Sequence, residues 1–387
     1  MTPGARASAA IVVLDRVLGG DPVEQVLTDW GRSARYAGSS DRAGLRDIVF
    51  QCLRCRSSYA VMGGGLTGRG LVLAFVRTKG KGAELVYFSG GPHDPLPPDP
   101  VTEAGRAPVG AEIHNIPDWL EAPLKASLGA DFAPVMAAMS DRAPVFLRVN
   151  PVRGDRAGAI ALLASDGILA EICIELPLAL QVVTGERKIR TAKAYVTGLV
   201  ELQDLSSQAV VADLPLQDGM KVLDHCAGGG GKTLAMAARA KLRLYAHDAV
   251  ARRMADLPAR AERAGIKVTL VDRPEAEAPF DLVLVDAPCS GSGSWRRDPA
   301  GKWALTEARL AGLLQEQAAI LTRAAAMVRP GGWLGYATCS LLSAENEAQV
   351  AAFLARSPGW TEAGRKVLTP LSGGDGFFCA LLGRSGV

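Results

Sequence analysis

From about residue 206 onward, short apolar runs alternate with helical segments, and this alternation limits the fold more than any other feature of the chain. MKVLDHCA, LRLYAHD, IKVTLVD, FDLVLVDAP and GWLGYATCS read as strands. Lys232 to Ala240, Val250 to Ala264 and Thr306 to Val328 read as helices between them. Strands apolar on both faces need covering on both sides, and the intervening helices supply it. The pattern predicts an α/β fold: a doubly wound, mostly parallel sheet with its ligand at the strands' carboxyl ends.

VLDHCAGGGGKTLAMAA, Val222 to Ala238, is strand, glycine-rich turn and helix. It is not a P-loop, because the glycine required six residues before Lys232 is Cys226. It is not a dinucleotide turn either, because that spacing from Gly228 would need glycine at Thr233. What survives is a bare backbone turn that a nucleoside without phosphates can approach closely. Asp248 ends the next strand, suited to ribose hydroxyls, and Asp272 ends the third, suited to an adenine amino group. One aspartate at a strand end is usually a helix cap. Acids ending successive βα units behind such a turn point to S-adenosylmethionine.

Two thiols follow strand ends, Cys289 in DAPC and Cys339 in ATCS. Free cysteine is most often a small buried residue, but two at the carboxyl ends of strands in one sheet suggest nucleophilic chemistry. Asp286-Ala-Pro-Cys289 resembles the strand-end tetrapeptide that methyltransferases set beside the methyl donor. With a thiol in the last position, the expected target is carbon 5 of cytosine. That carbon becomes nucleophilic only after a thiolate adds to carbon 6, and a second group must then remove the carbon-5 proton.

The upstream chain reads as helices over 1–90, a Pro- and Gly-rich linker with further helices over 91–142, and a small α+β unit over 143–205. Cys52 and Cys55 form a C-x-x-C, but both fall in helical periodicity with no partner pair, so they read as core. Arg148, Arg296 and Arg297 are candidates for RNA contact; the plainer reading is a solvated surface or salt bridges bracing the loop. The net charge of +3 is compatible with a polyanionic partner and does not demand one. Seven scattered cysteines do not suggest a disulfide framework, and no apolar stretch suits a signal peptide or membrane span. A cytoplasmic protein is expected, a monomer without metal.

DHCAGGGGKT, DAPCSGSGSWRRDP, KW, PGGWLGYATCSLLSAENE and DGFFCALLGR resemble the Sun/RsmB family of RNA (cytosine-C5) methyltransferases, as do LRVNPVR and GLVELQDLSSQAV. The resemblance implies a Rossmann-like S-adenosylmethionine-dependent catalytic domain over 206–387, preceded by an RRM-like unit over 143–205. DRAGLRDIVFQCLRCR resembles a helix of the NusB-like RNA-binding domain that opens such chains. By the same resemblance Cys339 is the nucleophile, Cys289 assists product release, and Asp286 lies beside cofactor and base. The cofactor loop falls on Cys226, Ala227, Gly228, Gly229, Gly230, Gly231 and Lys232, with Asp248 and Asp272. Family members usually have D-L-C-A-A-P-G-G-K-T, so His225, Gly228 and Gly229 depart from the pattern. Replacing the loop proline by Gly229 loosens the turn. His225 is read as a wall of the cofactor pocket or a proton carrier. The implied substrate is 16S ribosomal RNA; transfer RNA, 23S ribosomal RNA, and a non-catalytic RNA-binding assembly module are the alternatives.

Overall fold

The computed structural model describes residues 1–386, in two compact units: Met1–Arg142 with Trp295–Ala304, and Ala143–Ser294 with Leu305–Val387. No helix among the described residues is long and apolar enough to cross a membrane.

The first unit is helical and opens with α1 (Pro3–Leu18), α2 (Val23–Ser33) and α3 (Ser39–Arg54). Thr2 caps α1 by accepting from the Ala5 amide. Ala7, Ala10 and Leu14 fall on one face of α1 and join Leu45 and Val49 of α3 in the core. Cys52 and Cys55 are packed in that core. Residues 91–142, read as linker and helices, belong to the same unit. Ser8 Oγ donates to the His93 carbonyl at 2.9 Å and the Arg106 amide to the Val61 carbonyl at 2.9 Å, tying the irregular stretch down.

Trp295–Ala304, within the stretch read as the catalytic domain, packs with this unit. Trp303 Nε1 donates to the Leu53 carbonyl at 2.7 Å, and the buried Lys302 donates through Nζ to the Arg54 carbonyl at 3.0 Å. Local periodicity carries no sign of this, because the partners lie some 250 positions upstream.

The second unit contains two sheets. The smaller is antiparallel, with β1 (Val145–Val149), β2 (Leu169–Ile172), β3 (Ala179–Thr184) and β4 (Val200–Leu202) in the order β2-β3-β1-β4. The larger comprises β5 (Lys221–Asp224), β6 (Arg243–Ala246), β7 (Thr269–Leu270), β8 (Phe280–Asp286), β9 (Val328–Thr338), β10 (Trp360–Leu368) and β11 (Phe377–Arg384). Its order is β10-β11-β9-β8-β5-β6-β7, parallel from β9 to β7, with β11 and β10 antiparallel. Leu223, Val283 and Val285 pack on one face, and Val222, Leu282 and Leu284 on the other, so both faces are buried as a parallel sheet requires.

Two elements differ from the expected pattern. The helix expected from Val250 begins at Leu257, after a short 3-10 turn, because Pro258 lacks an amide hydrogen and fits only the first turn. IKVTLVD pairs over only Thr269–Leu270, at the exposed sheet edge. The chain runs outward from β5 through β6 to β7, then returns to β8 on β5's other side. The crevice between β5 and β8 is therefore the topological switch point, where such sheets bind ligands.

Candidate active site

The glycine turn leaves β5 at this switch point. Ala227 donates its amide to the His247 carbonyl at 2.9 Å, and Gly228 donates to Asp248 Oδ2 at 2.9 Å. Gly230 has φ +79°, and a β-carbon there would lie 2.2 Å from Leu257 Cδ1, so no other residue fits. Helix α4 (Gly231–Ala237) then begins, and buried Lys232 donates through Nζ to Asp286 Oδ2 at 2.7 Å. Burial works against the Lys232 charge, but the Asp286 carboxylate outweighs it and holds the pKa above its ordinary value. With its lysine engaged, the turn offers bare backbone and carboxylates instead of a phosphate clamp. These residues fit a nucleoside cofactor without phosphates.

Asp248 is buried, and besides Gly228 it accepts from the Val250 amide and pairs with Arg253 at 3.1 Å. It holds the shape of the turn from below. Asp272 is exposed, just past β7. His225 is buried and stacked on His247, with centroids 5.1 Å apart, and burial pulls its pKa down to about 4. Its ring is therefore neutral near pH 7.

Asp224 is fully buried; Thr233 Oγ1 donates to its Oδ2 at 2.6 Å, while Oδ1 has no hydrogen-bond partner. Burial pushes its pKa up to about 7. An unfolded aspartate titrates near about 3.9. Between these values the folded chain keeps a proton that the unfolded chain has released, so stability falls as pH rises and levels off above about 7. Asp224→Asn should stabilise the unit at pH 8 and less at pH 5, read from urea midpoints. Equal gains at the two pH values would contradict this assignment.

The two thiols meet. Cys289 follows β8, Cys339 follows β9, and their sulfurs are 3.4 Å apart. Backbone bonds fix both loops: Ala287 N–H to the Ala337 carbonyl at 2.8 Å, and Gly293 N–H to the Cys339 carbonyl at 2.9 Å. A hydrogen bond from Cys289, helped by Lys232, lowers the Cys339 pKa against burial and Asp286, which raise it. The same bond, with burial, drives Cys289 up. Cys339 is thus the thiol poised to ionise. Its alkylation by iodoacetamide, followed by peptide mass spectrometry, should begin at lower pH than for an ordinary thiol. In Cys289→Ala the onset should move to higher pH; an unmoved profile would refute the donated hydrogen bond.

Beneath the thiols lies a residue that the sequence reading missed. Glu345 is fully buried and accepts from the Ser290 amide at 2.8 Å, Ser290 Oγ at 2.5 Å, Ser340 Oγ at 2.5 Å and Gln317 Nε2 at 3.0 Å. Ser290 and Ser340 adjoin the two cysteines in sequence, so one carboxylate ties both thiol loops together. The only local signal was an acid in LLSAENE directly after the second thiol.

Two of the three arginines expected to contact RNA are buried. Arg148 is 4% exposed and donates Nε to Gln203 Oε1 at 2.6 Å; Gln203 in turn donates to the Gly231 carbonyl at 3.2 Å. It braces the start of α4 and does not face solvent. Arg296 is also 4% exposed and lies with exposed Arg297 in the helical unit.

Residues 211–382 match the family model described as 16S rRNA methyltransferase RsmB/F, and residues 116–187 match the ferredoxin-like domain of RsmF/B-like methyltransferases. Curated relatives include ribosomal RNA small subunit methyltransferase B of Salmonella arizonae, 34% identical over 69% of this chain and 66% of that protein. The Yersinia pseudotuberculosis protein of the same name is 34% identical over 70% of this chain and 67% of its own. The chain thus spans 65–66% of the first few such relatives. Among solved structures, PH0851 aligns over 98% of both chains with TM-score 0.78 and 24% identity. NSun6 from Pyrococcus horikoshii, solved with SFG, aligns over 70% of this chain and 98% of its own, with TM-score 0.61 and 19% identity. These two likenesses carry the fold alone. With the family match spanning the switch point and both thiols, the chain belongs to the Sun/RsmB family of S-adenosylmethionine-dependent methyltransferases.

Proposed function

We propose that the chain methylates carbon 5 of a cytosine in RNA, with small-subunit ribosomal RNA as substrate. The observation that carries this reading is the pair of thiols at two adjacent strand ends, their sulfurs 3.4 Å apart, with the Cys339 pKa lowered by its Cys289 neighbour. The Cys339 thiolate adds to carbon 6, and the displaced 5,6 electron pair makes carbon 5 nucleophilic. Bound S-adenosylmethionine supplies the methyl group that carbon 5 takes. Cys226 to Lys232 would cradle it, with Asp248, Asp272 and Asp286 around the turn. Asp286, paired with Lys232, would hydrogen-bond the cytosine edge and favour the activated ring.

Once Cys339 is a thioether it no longer carries the negative charge that, with its hydrogen bond, held the Cys289 proton in place. The Cys289 pKa then falls, its proton passes to solvent, and the resulting thiolate takes the carbon-5 proton. The freed electron pair restores the 5,6 double bond and expels Cys339 as thiolate. The target base must leave its stack to reach the thiols, which favours single-stranded or loop RNA.

The test is incubation of the full chain with methyl-labelled S-adenosylmethionine and separate small-subunit, large-subunit and transfer RNAs, followed by nucleoside analysis. Label in small-subunit RNA as 5-methylcytidine is expected. Label only in another RNA would change the substrate, and label in none would leave a non-catalytic RNA-binding module.

A further inference from the structure

The helical unit carries two adjoining clefts that share one wall. The first, of about 680 Å³, runs along the exposed face of α1 and is lined by Val12, Trp30, Tyr36 and His93, among others. The second, of about 410 Å³, is also lined by Trp30, together with Arg32, Arg42 and Arg46. Tyr36 is 74% exposed on the loop between α2 and α3, so one face of its ring is open to a ligand. The Ser8 hydroxyl donates to the His93 backbone carbonyl at 2.9 Å, which holds the residue 93 backbone beside α1.

The second cleft is rich in arginine. Arg46 is neutralised by Glu24 in a bidentate pair. Arg32 and Arg42 have no carboxylate partner among the described residues. Arg42 is nonetheless fixed, its Nε donating to the Ala37 carbonyl at 3.1 Å and its Nη1 lying over Gly31, where a β-carbon would come within 3.0 Å. A purely apolar protein segment seated on α1 would leave these guanidinium groups unanswered. A nucleotide answers both clefts, with its base against the aromatic rings and its phosphate against the arginines.

Resting on the RNA-methylation reading above, we infer that Trp30, Tyr36 and His93 form a stacking site for an unpaired base of the RNA substrate, with Arg32 and Arg42 taking the adjoining phosphate.

The test uses the full chain and a fluorescein-labelled single-stranded RNA dodecamer, with the same sequence as a duplex, titrated by fluorescence anisotropy at several salt concentrations. Single strand should bind more tightly than duplex. Tyr36→Ala should weaken single-strand binding about tenfold, the loss expected of one stacked base. Tyr36→Phe, which keeps the ring, should bind like the parent. Arg32→Ala should lower the slope of log affinity against log salt by about 0.7, the value for one single-strand phosphate contact. Methyl transfer is measured alongside, and Tyr36→Ala should raise the KM for RNA at unchanged kcat. Unchanged affinity in Tyr36→Ala, beside a parent that binds and methylates RNA, overturns this site alone. A parent that binds RNA through Tyr36 without methylating it overturns the catalytic reading and keeps the site. Concentration-dependent sedimentation that Tyr36→Ala abolishes, with RNA binding unaffected, would assign the cleft to a second copy of the chain and overturn the inference.

Discussion

In Cys289→Ala, incubation with RNA and S-adenosylmethionine should leave a covalent protein–RNA complex that survives denaturing electrophoresis. In Cys339→Ala there should be neither complex nor methylated RNA. The asymmetry follows from the order of events. Cys339 makes the first bond, so without it activity should fall by several orders of magnitude, to the uncatalysed background. Cys289 enters only after methyl transfer, so its removal should allow one methylation and then stall the adduct. The 3.4 Å sulfur–sulfur distance puts the second thiol within reach of the first throughout this sequence. A complex with Cys339→Ala and none with Cys289→Ala would reverse the assignment. A complex with neither would show that water can replace Cys289 as the base.

The second large effect is expected at Glu345. Replacing it by alanine strands buried donors from Ser290, Ser340 and Gln317, each costing about 1–3 kcal/mol when left unpaired. Allowing for partial relaxation, the second unit should lose about 3–5 kcal/mol of stability, seen as a lower urea midpoint. Its kcat should fall further than stability alone explains, because the loops carrying the two thiols lose their common tie. Glu345→Gln keeps one oxygen acceptor and should fall between. Cofactor affinity should hold, since the glycine turn is anchored by Asp248 and not by Glu345. A wild-type urea midpoint in Glu345→Ala would show that the carboxylate is incidental.

The parts of the site legible in the sequence are those set by local pattern. Strand, glycine turn and helix around Asp224 to Lys232 declare themselves within a dozen residues, and strand-end positions place Cys289 and Cys339 at the same edge of the sheet. The parts that were not legible depend on distant partners. Glu345 reads as a surface acid until Ser290 and Gln317, 55 and 28 positions away, close over it. Arg148 reads as exposed because strands usually alternate inside and outside, but Phe146 and Leu147 pack into separate clusters, so both faces of β1 are buried. Arg296 sits in a ten-residue excursion anchored on Leu53 and Arg54: their carbonyls accept from Trp303 and Lys302, and Arg54 Nε donates to the Arg296 carbonyl. β10 and β11 extend the sheet beyond the strands read from the sequence. β10 is polar and mostly exposed, leaving no alternation to read, and the Phe377–Arg384 run was legible only as a motif.

The central claim is bond-making at carbon 5, and loss of the hydrogen that carbon carries tests it most directly. Small-subunit RNA bearing tritium at carbon 5 of its cytosines should be incubated with the full chain and S-adenosylmethionine, with water-borne tritium and transferred methyl groups counted together. The account predicts one tritium released for each methyl group transferred, and no methyl transfer in Cys339→Ala. Methyl transfer with the tritium retained in the RNA would contradict it.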